Sequence, residues 1–147
     1  MEEYVRRAFV TDDSVGAITD ALTEACQRTG PLRLNAEGLG CFPRLRSPRV
    51  LWAGISGDIE PLLALQKRID ASTVEWAEPE EREFTPHLTL ARLKEPRPKD
   101  LRAIEQFIEA NEATQFGEWQ ARQIDLMQSV LSPAGATYRC LASVALQ

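Results

Sequence analysis

Apolar residues along this chain switch between two spacings, and each switch marks a change of element. Tyr4 to Val10 reads as a strand. Val15, Ile18, Leu22 and Cys26 then recur at helical spacing behind Asp12 and Asp13, two residues suited to capping, and Gly30-Pro31 ends that run. Leu32, Leu34 and Ala36 alternate with Arg33 and Asn35, as in a half-buried strand. A loop from Pro43 to Pro48 leads into a second strand, Val50 to Ile55. Asp58 is expected to cap a helix carrying Leu62, Leu65, Gln66 and Ile69 on one side. Pro86 to Leu93 reads as a strand, and Pro98 stands where a helix favours proline in its first turn. That helix is expected to bury Leu101, Ile104, Phe107 and Ile108 and to stop near Asn111. Gln120 to Val130 and Thr137 to Ala145 read as an antiparallel pair around Ser132-Pro133-Ala134-Gly135.

Strand–helix–strand–strand therefore occurs twice, without similarity between the two sequences. The pattern predicts an α+β fold, with antiparallel sheets and helices on the outside. It predicts a single domain over residues 1–147, with lobe halves at roughly 1–57 and 84–147 and a connecting helix. Two such lobes are expected to enclose a groove, a natural place for a site.

Composition narrows the function classes. Of the 147 residues, 44% are apolar, enough for a core, and 27% are charged. No apolar run is long enough to span a bilayer, and the first residues lack a signal-peptide pattern, so no membrane association is expected. Cys26, Cys41 and Cys140 are widely spaced and odd in number, with no CxxC pair, which suggests neither a zinc site nor a disulfide framework and points to a cytoplasmic protein. The net charge of −5 disfavours extended duplex nucleic acid as a partner. A local patch that grips one phosphate or a strand end stays open.

The chemistry-bearing segment is Phe84-Thr85-Pro86-His87-Leu88-Thr89-Leu90-Ala91-Arg92, which holds the chain's single histidine. In a regular strand His87, Thr89 and Ala91 share one face, while Leu88 and Leu90 pack beneath the helix. An imidazole that exchanges protons near neutrality and a hydroxyl that donates to phosphate oxygen suit phosphoryl chemistry. The competing reading is an exposed sheet face on which the two residues have no task. Strict alternation puts Arg92 on the leucine side, away from His87, unless a bulge turns the strand. Arg44, Arg46 and Arg49 around the Pro43–Pro48 loop are either solvated charges or an entrance that attracts a nucleic-acid end. Phe42 and Trp52 either stack on a base or pack internally.

The segment Phe84-x-Pro86-His87-Leu88-Thr89-Leu90-Ala91-Arg92 resembles the second His-x-Thr motif of the two-histidine phosphoesterases, and within them the RNA 2',3'-cyclic phosphodiesterases once called 2'-5' RNA ligases. Gly38-Leu39-Gly40-Cys41-Phe42-Pro43 with Pro48-Arg49-Val50-Leu51-Trp52-Ala53-Gly54 resembles that family's middle hairpin. Glu80 to Phe84 and the stretch from Leu126 through Leu141 resemble its approach to the motif and its final hairpin. The resemblance implies a two-lobed fold, no metal or other cofactor, and RNA ends or small cyclic nucleotides as partners. It implies that His87 moves a proton and that Thr89 holds the phosphate; Arg92 and Lys94, which follow the motif, are either further phosphate contacts or surface charges at a sheet end.

The resemblance also implies a first His-x-Thr motif, which this chain does not show, so the fold is expected to be truncated at its N-terminus relative to the family. Laying Ala8 to Thr11 on the end of the family's corresponding strand puts Tyr4 at the first histidine and Arg6 at the first threonine. Arg6 as a phosphate contact and Tyr4 as a substitute acid are the candidates there, against a reading of both as merely solvated. The expected activity is hydrolysis of 2',3'-cyclic phosphate ends to 2'-phosphates, impaired by the missing histidine. The alternatives are a non-catalytic module that binds nucleotides or RNA ends, and a self-associating homo-oligomer.

Overall fold

The computed structural model describes residues 11–77, 83–133 and 135–147. In chain order the elements are α1 (Val15–Cys26), β1 (Leu32–Phe42), β2 (Val50–Gly57), α2 (Ile59–Ser72), β3 (His87–Arg92), α3 (Pro98–Ala110), β4 (Gln115–Ala121), β5 (Gln123–Ser132) and β6 (Gly135–Ala145). The fold is α+β. Tyr4, Arg6 and the strand expected around them lie outside the described residues.

The elements fall into two compact units, and the chain passes between them more than once. One unit holds Arg33–Ile59 and Glu83–Trp119, the other residues 11–32, 60–77 and Gln120–Gln147. Halves at 1–57 and 84–147 do not describe this division, because each unit draws on separated stretches of sequence.

The first unit is a sheet in the order β3-β2-β1-β4, antiparallel at β1–β2 and at β2–β3, with α3 against one side. Leu39 of β1, Ala53 of β2 and Ile108 of α3 form its buried centre, joined by Cys41, Leu51, Leu88 and Ile104. α3 begins at Pro98, where a missing N–H costs nothing, and the Asp100 carboxylate accepts from the Arg97 backbone N–H at 3.3 Å and its guanidinium at 2.7 Å. The helix buries Ile108, but Phe107 is 53% exposed. Ile104 and Ile108, four positions apart, already fill the stripe that faces the sheet. Phe107 therefore falls outside it.

Asp58, directly ahead of α2, also ties β1 to the end of β2. Its carboxylate accepts from the Arg33 N–H at 2.7 Å, and its own N–H donates to the Arg33 carbonyl at 2.9 Å, extending the β1–β2 ladder. Asp12 and Asp13 sit in a 3-10 turn, and Ser14 stands at the start of α1. Gly38 makes a bulge in β1 at a φ of 66°, where its N–H reaches the Thr114 carbonyl at 2.9 Å. A Cβ there would meet the Glu112 carbonyl oxygen at 2.7 Å, so the bulge needs glycine.

In the second unit α1 packs on β6 of the β5–β6 ribbon and buries Ile18, Leu22, Ala25 and Cys26. Arg68 of α2 donates to the Ala25 carbonyl at 2.9 Å and to the buried Thr29 hydroxyl, satisfying the C-terminal end of α1. The stretch expected as one strand from Gln120 is two strands, β4 and β5, which meet near Arg122.

Ile108→Ala is expected to lower stability by about 2–5 kcal/mol, since it empties the centre beneath α3. Urea unfolding followed by circular dichroism measures the loss.

Candidate functional site

The geometry of the site follows from the pairing of β2 with β3. Gly54 faces His87, Ala53 faces Leu88 and Trp52 faces Thr89, as plain alternation requires. The register then shifts by one residue, so that Leu51 faces Ala91 and Val50 faces Arg92. Leu51 belongs to the core beneath α3, and its partner Ala91 therefore turns to that side. Val50 lies on the opposite side, and Arg92 lies there with it.

Alternation without this bulge would put Ala91 beside His87 and send Arg92 to the leucine side. The extra residue reverses both. Leu90 is the residue without a place in the ladder, and it is 53% exposed instead of packed under α3. One face of the sheet thus carries His87, Thr89 and Arg92 from β3, Trp52 from β2 and Phe42 from β1, the last paired with Val50.

The imidazole is held from two directions. Its Nδ1 lies 2.7 Å from the Thr85 carbonyl oxygen. A carbonyl only accepts, so Nδ1 carries the hydrogen and Nε2 is the nitrogen left for chemistry. Thr85 precedes Pro86, which biases it toward the extended backbone that starts the strand. Phe42 stands edge-to-face to the imidazole, with centroids 5.0 Å apart and planes at 81°. Trp52 lies 5.2 Å from Phe42 and 6.3 Å from His87. Aromatic pairs favour such tilted arrangements and resist ring rotation.

Trp52 reaches this position because residue 40 is glycine. A Cβ on Gly40 would fall within the Trp52 ring, so the indole lies directly over the β1 backbone. Its Nε1 is buried and has no hydrogen-bond partner. One face of the half-buried Trp52 indole is thus covered by the β1 backbone, with the imidazole beside it.

Cys41 sits between Gly40 and Phe42 but points to the core, and burial pushes its thiol above the usual range. Thiolate chemistry is disfavoured there. Among the described residues no three His, Cys, Asp or Glu side chains cluster to hold a metal, and no helix is long and apolar enough to cross a membrane.

An α+β fold with antiparallel sheets and a His-x-Thr strand is the fold of the two-histidine phosphoesterases. This chain belongs to the 2'-5' RNA ligase superfamily, which its residues 5–132 match. It is 34% identical over 113 residues to the RNA 2',3'-cyclic phosphodiesterase of Aeropyrum pernix, covering 76% of this chain and 63% of that protein. It is 30% identical over 129 residues to the protein of the same name from Methanothermobacter thermautotrophicus, covering 88% and 68%. The chain thus spans about two thirds of these relatives' length. Among solved structures, E. coli LigT complexed with 3'-AMP superposes with a TM-score of 0.60 at 20% identity, over 93% of this chain and 71% of LigT.

The sequence contains one histidine, so ring-nitrogen signals are unambiguous. In ¹⁵N-labelled protein the neutral imidazole is expected as the Nδ1–H tautomer, and Phe42→Ala is expected to mix in the Nε2–H form. A native spectrum dominated by Nε2–H would refute the assignment.

Proposed function

We propose that this chain opens 2',3'-cyclic phosphates at RNA ends or on small nucleotides, leaving a 2'-phosphate and a free 3'-hydroxyl. One observation carries this reading: His87 Nε2, the Thr89 hydroxyl and the Arg92 guanidinium share one face, with Nδ1 already engaged by Thr85. Water attacks phosphorus, the bond from phosphorus to O3' breaks, and the departing oxygen takes a proton. Neutral His87 accepts the proton of the attacking water at Nε2, and in its charged form it gives one to the leaving oxygen. Thr89 donates to a phosphate oxygen, and Arg92 offers a planar, charged donor pair to the same group.

The names of the relatives and the 3'-AMP held by LigT support a nucleotide phosphate as the ligand. The reaction needs no cofactor in this scheme. A cytoplasmic setting, with all three cysteines free, fits an RNA substrate.

A second reading rests on a specific observation. The chain has one histidine, so a mechanism using two is one proton-transfer group short, and each such group contributes roughly 10²–10⁴-fold. Turnover is then slow, or the site binds without turning over. Tyr4 and Arg6 remain the candidates for the missing partners.

Hydrolysis of 2',3'-cyclic AMP decides between these readings. His87→Ala is expected to lower kcat by about 10²–10⁴-fold. Arg92→Gln is expected to raise KM or lower kcat/KM by about 10-fold, the loss of one charged hydrogen bond. Equal rates in native protein and His87→Ala remove His87 from the mechanism. Calorimetric binding of the nucleotide without hydrolysis selects the second reading.

A further inference from the structure

Rows of residues run across the sheet on the chemical face. Glu37 of β1 pairs with Gly54 of β2, and Gly54 pairs with His87 of β3. Gly40, Trp52 and Thr89 form the next row, and Phe42, Val50 and Arg92 the one after. Residues paired in antiparallel strands share a face, so Glu37 stands on the side of His87, Thr89 and Arg92. The bulge at Gly38 makes this so. Plain alternation back from Gly40 would put Glu37 on the core side with Leu39, and the extra residue turns it over.

The middle of the Glu37 row carries no side chain. A Cβ at Gly54 would lie 2.8 Å from the Glu37 carbonyl oxygen and 3.7 Å from a Trp52 ring carbon, with no other described atom within 4 Å. The close β1 backbone requires glycine there. The result is a space above β2 with Glu37 on one side, His87 on the other and the indole at its edge. Phe42 is on β1 and His87 on β3, yet their ring centroids are 5.0 Å apart, so the imidazole leans inward over β2. Phe42 and Trp52 close it on the Arg92 side. Neighbouring strands lie about 4.7–4.9 Å apart, which separates the backbones of β1 and β3 by roughly 9–10 Å at this row. Side chains entering from both edges leave room for one phosphate and a water. Glu37 is half-buried, and among the described residues no hydrogen bond or ion pair holds its carboxylate.

We propose that Glu37 is a second catalytic residue, the general base that works opposite His87. This inference rests on the functional reading above and supplies the proton-transfer group that one histidine leaves short. A water beside the carboxylate gives a proton to Glu37 as its oxygen bonds to phosphorus. The bond from phosphorus to O3' breaks, and O3' takes the proton held at Nε2 of the charged imidazole. The products are the 2'-phosphate and the 3'-hydroxyl. Solvent then carries the proton from the Glu37 carboxyl to Nε2, and both groups regain their starting forms. A base and an acid on opposite sides suit a displacement in which the entering and leaving oxygens stand in line across phosphorus. Thr89 and Arg92 hold the remaining phosphate oxygens, and the guanidinium offsets the carboxylate's repulsion of the phosphate.

Hydrolysis of 2',3'-cyclic AMP by the full chain is the test. Glu37→Gln keeps the side chain's size and removes the base, and it is expected to lower kcat by about 10²–10⁴-fold with KM held within about threefold. Glu37→Ala is expected to lose as much and to regain about tenfold or more in added formate, a carboxylate small enough to enter the vacated space. Glu105→Gln, exposed on α3 across the sheet, is expected to leave kcat unchanged. Circular dichroism confirms that each variant is folded. Native kcat in Glu37→Gln overturns the proposal and leaves the role of His87 intact. A folded Glu37→Ala that formate does not restore also overturns it, as does loss of activity in Tyr4→Phe beside an unaffected Glu37→Gln. Native protein that binds the nucleotide without hydrolysing it overturns this proposal and the catalytic reading together.

Discussion

Everything on the chemical face depends on the pairing of β2 with β3 and on the one extra residue that β3 carries over the paired stretch. A strand alternates its side chains by two, and a single insertion inverts all that follows. Here the inversion falls between Thr89 and Ala91, after the histidine and threonine have been placed and before the arginine. Core demand explains why the bulge is tolerated. Leu51 belongs to the cluster beneath α3, and the bulge sets the small Ala91 opposite it. The cost is Leu90, an apolar side chain left half in solvent. A packing preference on one side of the sheet thereby decides which charge stands on the other.

The aromatic cluster shows the same economy of position. Trp52 lies over β1 only because Gly40 has no side chain. Its buried N–H meets no acceptor among the described residues. Phe42 and Trp52 restrict the imidazole while Thr85 takes its Nδ1 hydrogen, so the ring presents Nε2 without having to search for an orientation.

Much of this was legible in the sequence, and the failures share a cause. Helix ends at Pro98 and Asn111, the buried stripe of α1 and the strands at Leu32, Val50 and Pro86 follow from local patterns. The position of Arg92 did not, because a bulge belongs to two strands and alternation reads one. The bond of Asp58 to the Arg33 N–H was not legible, because that partner is remote in sequence. Strand β4 was missed because Gln115 to Ala121 is mostly exposed and shows no apolar alternation. Phe107 was assigned to the core on helical spacing, but the narrow contact of α3 with the sheet is filled by Ile104 and Ile108. The interleaving of two units is likewise invisible to a pattern read from one end of the chain to the other.

Charge has to be read locally for the same reason. A net charge of −5 argues against extended polyanion binding only if it is spread evenly. At physiological ionic strength fields fade over about 8 Å, so a distant carboxylate does little to an arginine at the end of β3. Around His87 the segment 38–57 and the stretch from Phe84 to Lys94 hold cations and no acid, while Glu37, paired with Gly54 opposite His87, places one carboxylate on the same face. The pairing of β1, β2 and β3 in one sheet concentrates cations that the sequence places far apart.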